Sequence, residues 1–61
     1  MQTYLITKEP TEELELRVED GRYTLIQTYR TPDGERRKVV IMNKREVLEL
    51  HQAIGKEIRG E

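Results

Sequence analysis

No cysteine, serine, tryptophan or phenylalanine occurs among the 61 residues, and histidine occurs once. Without cysteine there is no disulfide to staple a small chain, and no thiolate to ligate zinc or attack a substrate. Without serine a Ser-His-Asp triad is excluded outright. The longest uninterrupted apolar run is Val39 to Met42, far short of the ~20 residues that a membrane-spanning helix needs. No basic-then-apolar leader opens the chain, which points to a soluble, cytoplasmic protein. The four glycines are scattered, so none builds a phosphate-cradling loop. A chain near 60 residues buries only about 60% of the surface its unfolded form exposes, which makes its monomer marginal. One small domain spanning residues 1–61 is the expectation, with a partner subunit to support it.

Charge is plentiful: 38% of residues are Asp, Glu, Lys or Arg, and they nearly cancel to −1. The cancellation hides an asymmetry. Residues 1–35 hold eight acids against four bases, whereas residues 36–61 hold seven bases against four acids. Arg36, Arg37, Lys38, Lys44 and Arg45 run without an intervening acid. A local basic patch attracts phosphate even in a near-neutral protein. A solvated strand end explains the same residues without a ligand.

Along the chain, Thr3 to Thr7 is β-branched and aromatic and predicts a first strand. Pro10 removes a ladder donor, so a loop of four to five residues is expected over Lys8 to Thr11. Leu14, Leu16 and Val18 alternate with Glu13, Glu15, Arg17 and Glu19, a period of two with one dry and one wet face. Asp20-Gly21 then predicts a type I′ hairpin, whose two central residues need positive φ. Tyr23 to Arg30 is rich in strand formers, with Tyr23, Leu25, Gln27 and Tyr29 on one face and Thr24, Ile26, Thr28 and Arg30 on the other. Pro32-Asp33-Gly34 makes a second turn, and Arg36 to Met42 a fourth strand.

Asn43 and Glu46 have capping-box spacing. Val47, Leu50, His51, Ile54 and Ile58 follow as one helical stripe, widened by Leu48. The helix is expected from Lys44 to Arg59 with Gly60 as its stop. Gly55 costs about 1 kcal/mol against Ala inside a helix, so either the helix ends there or another backbone comes close. The fold class is α+β: a four-stranded antiparallel meander followed by one C-terminal helix. That helix is expected to cover one sheet face, leaving the other for solvent, a partner subunit or a ligand.

Enzymatic chemistry has few carriers. His51 has no second histidine at ligand spacing and lies on the apolar stripe, so it reads as a core-edge or interface residue and no metal site is expected. Glu13 and Glu15 are a carboxylate pair, but the alternation explains them as solvent side. Neither an enzyme, a cofactor nor a small-molecule substrate is expected. Single-stranded nucleic acid needs a basic track with aromatic faces for stacking. Tyr29, Arg30, Arg36, Arg37 and Lys38 are brought together by the second turn and are the candidate contacts. The alternative is that the tyrosines pack against the helix with their hydroxyls at the rim.

Asp20-Gly21 through Ile54 resembles the DNA-binding domain of the positive cofactor four family of transcriptional coactivators. The resemblance lies in the short hairpin, the strand ending in Thr28-Tyr29-Arg30, the turn Pro32-Asp33-Gly34-Glu35, the basic strand Arg36-Arg37-Lys38, and Val40-Ile41-Met42-Asn43 entering a helix with Glu46, Val47 and Leu50. It covers about thirty-five residues, and the order of elements in that family is the same ββββα. The resemblance implies a homodimer paired through its helices, holding single-stranded DNA on its outer sheets by basic and aromatic side chains, in transcription or in replication and repair. Leu48, Leu50, His51, Ile54, Gly55 and Ile58 are then the expected dimer contacts. A competing expectation is a homodimeric protein–protein interaction module, such as a phage or accessory regulator, without affinity for nucleic acid.

Overall fold

The computed structural model describes residues 1–60. Four strands, β1 (Gln2–Glu9), β2 (Glu12–Glu19), β3 (Arg22–Thr31) and β4 (Gly34–Asn43), form one antiparallel sheet in the order of the chain, and α1 (Lys44–Arg59) follows. This is the ββββα meander that the sequence predicts. Asp20 and Gly21 take φ of 48° and 75°, as the primed turn requires. At the second turn Gly34 takes φ of 140°, and the Thr31 hydroxyl donates to the Gly34 carbonyl at 3.1 Å.

The first strand is longer than expected, and the loop after it shrinks to Pro10-Thr11. Lys8 and Glu9 pair with Glu13 and Glu12, so the strand runs up to the proline. The sequence signal put the break too early because Lys and Glu are poor strand formers, yet at a sheet edge their side chains stay in water. A register shift between Leu5 and Thr7 leaves Ile6 as an extra residue. Without that bulge every later side chain of β1 would change face.

Register divides the sheet into two unlike faces. Val18, Tyr23 and Met42 lie in one cross-strand row, and Tyr4, Leu16, Leu25 and Val40 in the next. Leu14 and Lys38 flank Gln27 in the third row, and Glu12 and Arg36 flank Tyr29 in the fourth. This face is apolar over its first two rows and into the third. The opposite face interleaves Thr24, Ile26 and Thr28 with Glu13, Glu15, Arg17 and Arg37, and with the exposed apolar residues Leu5, Val39 and Ile41. Among the described residues only Ile26 and Thr28 are buried, neither completely, and both belong to this charged face. Both lie on β3, with Glu15 and Val39 beside Ile26 and with Glu13 and Arg37 beside Thr28.

The helix runs as expected. Asn43 caps it: its side-chain oxygen accepts from the Glu46 amide at 2.8 Å, while the Asn43 amide donates to Glu46 at 3.0 Å. Gly60 ends it in the left-handed conformation at φ of 75°. The expectation that the helix covers a sheet face is overturned. It approaches only β3 and β4, and none of its residues is buried. The reason is chain length. β4 ends at Asn43 and α1 starts at Lys44, whereas strand–helix reversals ordinarily use about 2–6 connecting residues. Asn43 is extended, at φ −88° and ψ 175°, so the helix leaves the sheet instead of folding back across it.

Gly55 also resolves. The helix continues through it, and a side-chain methyl there would meet the Arg59 guanidinium at 2.8 Å, not a neighbouring backbone.

Because both reciprocal bonds of the cap are made, Asn43→Ala should lower unfolding stability by about 1 kcal/mol. Asn43→Ser should recover most of it, read from urea midpoints of the two variants.

Candidate nucleic-acid interface

Five side chains were expected to share one basic, aromatic patch, and the sheet register separates them. Tyr29 and Arg36 are direct cross-strand partners on the apolar face, and Lys38 stands one row on, opposite Gln27. Arg30 and Arg37 alternate with them and fall on the charged face. A strand shows alternate residues to opposite sides, so consecutive bases in sequence cannot line one track.

The two groups also differ in what neutralises them. Arg30 donates from Nη2 to Glu13 Oε1 at 3.2 Å, and Arg37 lies 4.0 Å from Glu35. Arg17 donates from Nε to Glu15 Oε1 at 2.9 Å. That hydrogen bond first, and the Glu15 charge second, raise the Arg17 guanidinium above its ordinary value, while desolvation slightly opposes them. Arg17 was not among the expected contacts; its pair with Glu15 lies two residues away on the same strand face, so the period-two alternation already carried the signal. Arg36 and Lys38 form no ion pair with any described residue. Tyr29 is half-buried and Tyr23 likewise.

In the fourth row an aromatic residue, Tyr29, thus adjoins Arg36, with Lys38 one row away, and neither cation is paired with an acid among the described residues. Glu12 closes the same row on β2, and Glu9 stands beyond it on β1. Two negative charges at that margin limit how far a phosphate track extends toward β1.

Elsewhere the surface gathers no reactive constellation. A recess beside the first hairpin is lined by Arg17, Glu19, Asp20, Arg22 and Thr24, mixing both signs without a nucleophile. Among the described residues no three His, Asp or Glu side chains are placed to hold a metal ion. His51 is exposed on the helix. The other expected dimer contacts on α1, Leu48, Leu50, Ile54 and Ile58, are exposed as well, and Gly55 is half-covered by Arg59. No described helix is long and apolar enough to cross a membrane.

No family model matches this chain, and neither does any curated protein or solved structure.

The ion pairs of the charged face are solvent-exposed and screened by water and salt, so each contributes little to stability. Glu13→Gln and Glu15→Gln should accordingly shift the urea midpoint only slightly. Arg17 has a raised pKa in the folded chain, so whatever its pair contributes is fully present below the unfolded value and is lost only as pH rises through the folded one, in strong alkali. The difference between Glu15→Gln and the parent chain should stay constant from neutral to moderately alkaline pH in matched urea titrations.

Proposed function

We propose that the chain is a non-enzymatic, homodimeric module that binds single-stranded nucleic acid, working in the cytoplasm as a small accessory protein of transcription or of replication and repair. The supporting observation is the fourth row of the apolar face. Tyr29 faces Arg36 directly across β3 and β4, with Lys38 one row on and neither cation neutralised by an acid among the described residues. A base stacks on the tyrosine ring while the two cations take the phosphates on either side of it. The ββββα order that supports the resemblance to the positive cofactor four family is present. The expected contacts narrow to Tyr29, Arg36 and Lys38, with Arg30 and Arg37 held back by Glu13 and Glu35.

A second reading has its own observation. Three arginines of the charged face, Arg17, Arg30 and Arg37, are each matched to a glutamate, which suits a protein partner better than a polyanion. In that reading the chain is an interaction module without affinity for nucleic acid.

Fluorescence anisotropy with a labelled oligonucleotide separates them. Binding at low salt should weaken steeply as salt rises. Arg36→Ala with Lys38→Ala should remove most of it and flatten the salt slope by about 1.4, since each single-strand phosphate contact contributes about 0.7. Tyr29→Ala should cost about 1–3 kcal/mol, whereas Arg30→Ala with Arg37→Ala should cost less than the Arg36 and Lys38 pair. Absence of binding at low salt removes the nucleic-acid reading and leaves the second.

A further inference from the structure

The chain carries two apolar surfaces that its own connectivity keeps apart. One is the sheet face holding Tyr4, Leu16, Leu25 and Val40, with Val18, Tyr23 and Met42 beside them. The other is the helix stripe of Val47, Leu50, Ile54 and Ile58. None of these residues is buried: Val40 is 51% exposed, Ile54 48% and Ile58 80%. A cap that starts the helix at the last residue of β4 denies the stripe its own sheet. We propose that the chain assembles as a reciprocal dimer in which each protomer's helix lies across the apolar sheet face of the other.

Size argues that the missing cover is protein. The radius of gyration is 13.6 Å, against about 10.5 Å for a compact domain of this length. The accessible surface is 5323 Å², against about 4,200 Å² for a folded monomer of this mass. The excess, about 1,100 Å² per chain, exceeds the ~800 Å² that each partner of a standard interface buries. Sixteen residues make a helix about 24 Å long, enough to cross four strands spaced about 4.8 Å apart. A helix of this length is itself marginal in water and owes its persistence to packing of its amphipathic face.

Chemistry argues that the cover is a second copy. The chain presents an apolar sheet face lacking a helix and an apolar helix lacking a sheet, and twofold exchange satisfies both at once. Pairing helix to helix leaves the sheet face wet. Pairing the β4 edges leaves both surfaces wet. The fourth row, with Tyr29 and Arg36, lies at the polar margin of the face and stays open.

This inference rests on the homodimer reading above but specifies its geometry, and full-length variants test the two separately. Val40→Lys and Ile54→Glu place charge at positions that are exposed in the single chain, so neither disturbs the protomer unless something covers it. Each alone should weaken the dimer at least about a hundredfold in sedimentation velocity, because the charge would be buried unpaired. Mixing the two should restore dimers. In the mixed pair one junction joins an unaltered helix to an unaltered sheet face, and the other sets Glu against Lys. Val39→Lys, on the charged face, should leave the dimer intact. Far-UV circular dichroism reports folding of each variant, and one that loses structure alone must regain it on mixing.

A parent chain that stays monomeric at all concentrations overturns both the exchange and the homodimer reading, with nucleic-acid binding judged by its own titration. Dissociation by Ile54→Glu but not Val40→Lys means helix-to-helix pairing, which overturns the exchange and leaves the homodimer standing. Dissociation by Val39→Lys as strong as by Val40→Lys means edge pairing of β4 and also overturns it. Mixed variants that fail to re-form dimers overturn it regardless of their separate folding.

Discussion

Everything distinctive about this molecule follows from Asn43 serving two elements at once. It is the last residue of β4, paired with Arg22, and it is the helix cap, bonded in both directions to Glu46. A residue that closes a ladder and opens a helix leaves no chain for a turn between them. The capping box then fixes the exit direction, since loosening it would leave helix amides without acceptors. The helix is thus well begun at its first turn and unsupported over the next three.

The sheet is correspondingly lopsided. Its charged face holds the two buried residues, Ile26 and Thr28, and Arg17, Arg30 and Arg37 pair there with local glutamates, while Leu5, Val39 and Ile41 stay exposed on it. Glutamate and arginine side chains spread over adjacent strands and protect what lies beneath, whereas Leu16, Leu25 and Val40 protect nothing beyond themselves. The face richest in hydrophobic side chains therefore holds neither of the two buried residues, an inversion that association would resolve.

Local chemistry was legible in the sequence. Asp20-Gly21, Pro32-Asp33-Gly34, the Asn43–Glu46 spacing and the stripe from Val47 to Ile58 each specified their turn, cap or helix, because each acts over only a few residues. What escaped was whatever depends on two segments meeting. The bulge at Ile6 is invisible until β1 is laid against β2, and the strand's reach to Glu9 depends on its being an edge. The basic cluster looked continuous because Arg36, Arg37 and Lys38 are consecutive, yet a period of two sends Arg37 to the other side with Arg30. Helix cover of the sheet was a sound inference from one apolar stripe and one apolar face. It failed on the number of residues between them, which is zero.

Function on this account grows out of the same geometry. In the proposed dimer a sheet face that gives its apolar rows to a partner would keep its fourth row free, and there Tyr29 and Arg36, with Lys38 one row on, would offer a short stacking and phosphate-binding margin. The central claim beneath this is that the helix is stabilised by a surface outside its own chain. Hydrogen exchange of the α1 amides as a function of protein concentration tests it most directly. Protection across residues 47–58 should rise as the concentration goes from low micromolar to millimolar, while the β2–β3 amides change far less. Helix protection that is already high and independent of concentration would contradict the account.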